Sequence, residues 1–309
     1  LYMVRSQFFI GNFETCIQEA NRVTTTNDAE NLEKMYYVYR SMIALGKSKE
    51  VLAAIDSNPM KTAELSAIQI LAQYFADSSS HAECVQRIGL LLNEELGNTS
   101  LVRIIACTIY NNENDYEHAY LSVKNAESIE ELSVLVYTLV RMNRPDKASG
   151  VYSQMCKIDE DHILTQLAKT WLNSNGDNEK MKENTYIYRE IMDKLNESPM
   201  LVTNYLMSDL RCDNHALDPA QVEKCYSGLL DEYAKNSRDE CVLRNLVVVS
   251  SILHKPEEEI DKYLKELEEV NPENTMVVTA KNMVTRMGQL EKEFARSEER
   301  RVGKECRSR

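Results

Sequence analysis

Two stretches of the chain place side chains that could bind a metal or activate a nucleophile near one another. Cys212, Asp213, Asn214 and His215 form one cluster, and with Cys225 and Cys241 beyond it could be stretched into a Cys₃His zinc site. The spacings after His215 are loose, and Cys225 stands at helical spacing with Leu229, so it reads as a core thiol. Cys156 and His162 could supply a nucleophile and its base. Cys156 ends one amphipathic pattern, however, His162 opens the next, and no third group orients the base. The carboxylate runs Glu257–Glu259 and Glu266–Glu269 are interleaved with Lys262 and Lys265. They read as solvated helix faces with i,i+4 pairs, not as an acid–base dyad. No catalytic residue, metal or cofactor is expected.

Composition removes further chemistry. The chain has nine Gly and six Pro in 309 residues, about half the usual share. The closest glycines, Gly89 and Gly97, are too far apart for a loop whose backbone amides cradle a phosphate. With 36 basic against 49 acidic residues the net charge is −13, which disfavours nucleic acid, whose binding rests on clustered cations. No apolar run approaches the ~18 residues of a membrane span. The first residues carry Arg5 and lack the apolar core of a signal peptide. Eight Cys without a CxxC pair read as reduced, buried thiols of a cytosolic protein.

So little turn chemistry leaves an all-α chain. Leu132, Leu135, Val136 and Leu139 recur at i, i+3, i+4, i+7, which puts them on one helical stripe. The turn Met142–Asp146 follows, and a second helix carries Ala148, Val151, Tyr152 and Met155. Leu101–Ala126 and Leu243–Leu267 repeat the scheme. Turns fall near Gly11, Gly46, His81, Asn114, Arg144, Asn178, Asp218 and Lys255, a mean period of about 35 against ~34 for a tetratricopeptide repeat. The steps Gly46–Val51, Asn143–Ala148 and Lys255–Ile260 resemble that repeat's turn and second-helix signature. Small residues, Cys107, Ala119, Ala148 and Ala168, stand where helices cross. The expectation is a tetratricopeptide-like α-solenoid of about eight helical hairpins over residues 1–295, curled into a superhelix. Residues 296–309, with six basic and three acidic groups and no apolar period, read as a non-native scar or a disordered tail.

One hairpin cannot bury its own apolar face, so stacked hairpins share a core and leave a long concave surface for another chain. First helices line it. Repeat position puts Tyr36, Arg40, Ile104, Thr108, Asn111, Ser133, Tyr137, Arg141, Thr165 and Lys169 there. The lone Trp171 reads as packed within its hairpin. The 16 Tyr against 5 Phe read mostly as packing, with rings suited to interfaces where one end stays wet.

Three stretches carry a resemblance. Phe8-Phe9-Ile10-Gly11-Asn12-Phe13-Glu14-Thr15-Cys16-Ile17-Gln18-Glu19-Ala20-Asn21-Arg22-Val23 resembles the opening of the coatomer epsilon subunit family. Asp159-Glu160-Asp161, followed by Leu164-Thr165-Gln166-Leu167-Ala168 and Trp171, is similar to its middle segment. Asn245-Leu246-Val247-Val248 with Lys255-Pro256 and Tyr263-Leu264 looks like its closing segment. The resemblance covers roughly residues 1–290. It implies a non-catalytic subunit of the COPI vesicle coat, whose repeats form a bracelet gripping a hairpin in the C-terminal domain of the coatomer alpha subunit. It further implies peripheral association with Golgi membranes and COPI vesicles, in retrograde Golgi-to-ER and intra-Golgi transport. No motif for partner contacts transfers residue by residue.

Two other classes stay open on the residues alone. A repeat adaptor or co-chaperone gripping a peptide carboxylate would need Lys and Asn clustered in the groove, where this chain has scattered Lys. A protein prenyltransferase alpha subunit would need tryptophan-containing repeats, and there is one Trp.

Overall fold

A computed structural model of the chain describes every residue except 26, 59, 61, 95–96, 175, 213–217 and 306–309, with side chains described as far as residue 294. Its architecture starts from a recurring turn. Gly11, Gly46, Asn114, Asn143 and His254 all adopt left-handed backbone, with φ of 77°, 76°, 59°, 56° and 52°. After each, the next residue's N–H donates five positions back: Asn12 to Gln7, Lys47 to Met42, Asp115 to Tyr110 and Arg144 to Leu139 at 2.9 Å, Lys255 to Ser250 at 3.0 Å. Such a bond satisfies a helix's last carbonyls while reversing the chain. Glycine or asparagine at four of the five sites keeps the left-handed cost low.

These turns join first helices to second helices. They link α1 (Tyr2–Phe9) to α2 (Phe13–Arg22), α3 (Asp28–Ala44) to α4 (Ser48–Asp56) and α7 (Ser100–Asn112) to α8 (Tyr116–Val123). They also link α9 (Ile129–Arg141) to α10 (Pro145–Ile158) and α15 (Glu240–Ile252) to α16 (Glu257–Val270). Two further hairpins pair α5 (Ala63–Ala76) with α6 (His81–Asn93) and α11 (Ile163–Asn173) with α12 (Asn178–Leu195). Near His81 the expected turn is a short 3-10 segment, Ser78–Ser80, capped by Asp77. Next in the chain come α13 (Pro199–Arg211), which packs on α12, and α14 (Pro219–Lys235), which packs on α15, and α17 (Thr275–Glu305) ends the series. Pro145, Pro199 and Pro219 each open a helix, where a missing N–H costs nothing. Among the described residues there is no strand. Helical backbone thus continues to Glu305, through most of the basic segment read as a scar or disordered tail.

The chain packs as two compact units, Leu1–Asp213 and Asn214–Arg309. In the first unit each first helix from α1 to α11 touches the next first helix, whereas no second helix packs extensively on the following second helix. First helices therefore form the inner row. Cys107, Ala119, Ala148 and Ala168, the small residues expected at crossings, are all fully buried. They lie within one apolar core that runs from Ile43 to Ala168. In the second unit Tyr226 and Tyr233, two turns apart on α14, donate to Glu259 and Glu266 on α16. Much of the tyrosine excess is explained this way: rings pack and hydroxyls tie hairpins to carboxylates.

The inner row of the first unit returns on itself. α1 touches α11, and Ile10 joins Ile163, Leu167, Ile191 and Leu201 in one buried cluster. Two polar bonds lock this closure, from Gln7 Nε2 to the Leu195 carbonyl at 3.1 Å and from Ser198 Oγ to the Ile10 carbonyl at 2.6 Å. Ser198 also caps α13 by accepting from the Leu201 N–H. Losing a cap costs about 1 kcal/mol, and orphaning a buried carbonyl costs about 1–3 kcal/mol more. Ser198→Ala is accordingly expected to lower stability by roughly 2–4 kcal/mol, measured by urea titration. A loss no greater than that of a cap alone would show that the Ile10 bond contributes nothing.

Candidate protein-binding surface

The ten residues assigned to the inner face divide by burial. Ile104, Asn111, Ser133 and Thr165 are buried and present nothing to a partner. Each first helix meets its own second helix and the first helices on both sides, so little of its circumference stays open. The polar three are occupied internally. Asn111 Nδ2 donates to the Cys107 carbonyl and to Thr138 Oγ1, both at 2.9 Å. Ser133 Oγ donates to the Glu130 carbonyl at 2.7 Å, and Thr165 Oγ1 to the Asp159 carbonyl at 2.9 Å.

Arg40 and Tyr36 are half-buried on α3. Arg40 pairs with Glu130 of α9 at 2.7 Å, and its guanidinium lies 4.5 Å above the Phe8 ring. Tyr37 donates to the other oxygen of Glu130 at 3.0 Å. Burial first, then the Glu130 carboxylate, push the Tyr37 phenol far above its ordinary range. Glu130 thus clamps α3 to α9 across the inner row, and Arg40 is committed to that clamp. Tyr36 shares a long 3.4 Å hydrogen bond with Thr62, while Thr108 Oγ1 donates to the Ile104 carbonyl at 2.8 Å.

Tyr137 and Arg141 are different. Both are exposed on α9, one helical turn apart. Tyr137 stands edge-on to Trp171 of α11, with centroids 5.9 Å apart. Arg141 donates to Tyr116 Oη at 2.8 Å and to Asn114 Oδ1 at 3.3 Å. Trp171 is half-buried, packs as expected against the core of its own hairpin beside Ile163, Tyr188 and Ile191, and also meets the preceding hairpin through Tyr137. These residues from α8, α9, α11 and the Asn114 turn form a patch of aromatic rings around one cation, the composition of an interface anchor. Lys169 belongs elsewhere, paired with Glu183 at 3.3 Å and lying over Tyr152. Tyr116 and Glu130 were invisible as partners in the sequence. Tyr116 opens a second helix, and Glu130 lies 90 residues from Arg40.

The residues set aside as chemistry are structural. His162 caps α11, its Nδ1 accepting from the Leu164 N–H at 3.2 Å, and its ring packs against Phe9. Cys212 donates to the Ser208 carbonyl at 3.3 Å, and Cys225 is buried in its own unit. His215 lies outside the described residues. Among the described residues no group of three His, Cys, Asp or Glu could hold a metal, and no helix is long and apolar enough to cross a membrane.

Burial holds the His162 imidazole below its ordinary 6.5, with Arg5 pushing the same way and Asp159 and Glu130 opposing. The unfolded chain therefore takes up this proton before the native state does. Stability from this site is full above the unfolded value and falls as pH drops below it. The melting temperature should decline between about pH 7.5 and about pH 5.5, more steeply than in His162→Asn, which keeps a cap but does not titrate. Equal slopes in the two proteins would remove His162 as the cause.

Known proteins share this organisation and sequence. The family model described as coatomer epsilon subunit matches residues 1–297. A coatomer subunit epsilon of Caenorhabditis elegans is 26% identical over 282 residues, covering 90% of this chain and 92% of the relative. Coatomer subunit epsilon-1 of Arabidopsis thaliana is 27% identical over 281 residues, covering 91% and 92%. Among solved structures, a tetratricopeptide repeat protein of Parabacteroides merdae superimposes with a TM-score of 0.56 at 11% identity, over 87% of this chain and 96% of its own. At that identity the likeness concerns the fold alone, which is a tetratricopeptide-like solenoid.

Proposed function

The chain belongs to the coatomer epsilon subunit family, and from that premise we propose that it binds the C-terminal domain of the coatomer alpha subunit through the inner face of its first unit. As a member of that family it is a subunit of the COPI coat. It acts without catalysis, as a clamp that holds a partner chain. In this reading it reaches Golgi membranes and COPI vesicles peripherally, from the cytosol, and serves retrograde Golgi-to-ER and intra-Golgi transport. The carrying observation is a family match that runs through residues 1–297, across nearly all the helices. The accessible patch of Tyr137, Arg141, Trp171 and Tyr116 supplies the contact surface, because aromatic and arginine side chains dominate binding energy where they can be desolvated.

The test is a pull-down with three baits in parallel: the C-terminal domain of the alpha subunit, an acidic C-terminal peptide, and an unrelated helical domain. Selective retention by the first is the expected result. Retention by the acidic peptide instead would mark a peptide-carboxylate adaptor and overturn the proposed partner.

A further inference from the structure

The last helix offers a surface that the inner face does not use. α17 is 31 residues long, and among the described residues the contact that ties it to α16 lies near its start. Val277 is buried there, and Lys281 pairs with Glu268 of α16 at 2.7 Å. Beyond that contact Met283, Val284 and Met287 are 64%, 73% and 60% exposed. Met276, Ala280, Met283, Met287 and Leu290 recur at alternating spacings of four and three. That is the a/d repeat of a coiled-coil seam. At ~100° per residue the seam lies about 110° around the helix from the side that α16 covers. It is a second face, on which Met283 and Met287 are exposed and Met276, Ala280 and Leu290 half-buried.

Charge indicates what covers it. With Met287 at an a position, Arg286 falls at g and Glu291 at the e position of the next heptad. In a parallel, in-register pair of such helices, g of one chain faces that e of the other. Arg286 then meets Glu291 of the second copy, twice by symmetry. An antiparallel pair on the same stripe sets Arg286 against itself or, one layer over, against Thr279, and in neither register against a carboxylate. In the parallel register the sequence next sets Glu293 against position 298, also a glutamate, so the seam ends near Leu290. The helix also needs support: Gly288 sits mid-helix with nothing within 4 Å of where a side chain would begin. A projecting helix with an interior glycine is marginal by itself in water.

We propose that α17 joins two copies of this chain through a short parallel coiled-coil seam over Met276–Leu290. The seam spans only about two heptads, so association in the range of tens of micromolar is expected. Where a coat concentrates its subunits, this contact would link neighbouring copies. It is independent of binding to the alpha subunit, which uses the first unit.

The experiment is sedimentation equilibrium of the full chain from about 5 to about 300 µM. A monomer of 35.5 kDa at low concentration should shift towards twice that mass. Met287→Glu should abolish the shift without lowering the melting temperature, and Asn282→Glu, on another face, should leave it intact. Arg286→Glu and Glu291→Arg should each weaken association on the order of tenfold, and the double reversal should restore it. A chain that stays monomeric throughout, or a double reversal that does not restore association, overturns the proposal.

Discussion

Replacing Tyr137 by Ala together with Arg141 by Glu is expected to weaken binding to the C-terminal domain of the alpha subunit by on the order of 100-fold or more. Tyr137 is 38% exposed and braced by Trp171, so its ring is held ready without further ordering. Preorganised aromatic anchors cost little entropy on binding. Arg141 is held over the same surface by Tyr116 and Asn114, and reversing its charge adds repulsion to lost contact. Neither side chain reaches the buried core, so the variant should keep its helical circular dichroism and melt within a few degrees of the parent. Isothermal titration of parent and variant measures the effect. An affinity changed by less than about threefold would place the anchor elsewhere.

The second large effect is on stability, at Glu131. This carboxylate is 1% exposed, yet it is charged. Burial alone would raise its pKa. The Ser128 and Glu127 backbone N–H groups and the Arg103 guanidinium outweigh burial and hold it below the ordinary carboxylate range. Arg103 reaches it at 2.7 Å through Nε, and Glu131 also closes a reciprocal cap with Ser128 at the start of α9. Arg103→Met removes the cation and leaves the charge buried, a change that costs about 3–5 kcal/mol when a buried pair is broken. Arg103→Met with Glu131→Gln should recover part of that loss, because the uncompensated charge is gone. Chemical denaturation of both variants decides the matter. A single variant within about 0.5 kcal/mol of the parent would show that water already solvates this carboxylate.

The turns were legible in the sequence because their chemistry is local. Gly11, Gly46, Asn114 and Asn143 are residue types that tolerate left-handed backbone, and they stand just where an apolar stripe stops. The hairpins flanking Asn143 and His254 follow from 3.6-residue periodicity within a residue or two. The small residues at helix crossings were legible for a similar reason: Ala148 and Ala168 interrupt stripes of larger side chains at fixed helical positions.

The candidate surface was less legible, because it depends on contacts between distant parts of the chain. Ile104, Asn111, Ser133 and Thr165 sit at plausible groove positions by spacing, but neighbours from three directions bury them. Arg40 has the right exposure pattern on its own helix. Its commitment to Glu130, and that of Ser198 to Ile10, arise only when hairpins far apart in sequence meet. The tyrosines do carry a usable signal for such ties. Tyr226 and Tyr233 each stand 33 residues before the glutamate that accepts their hydroxyl. That interval is about one repeat.

The most direct test of the central claim is size-exclusion chromatography with light scattering on the full chain mixed with the C-terminal domain of the alpha subunit. A single peak holding both chains in equal numbers, surviving moderate salt and lost with Tyr137→Ala/Arg141→Glu, is the predicted result. Separate elution of two folded proteins would contradict it, leaving a coat-family solenoid whose inner face grips some other chain.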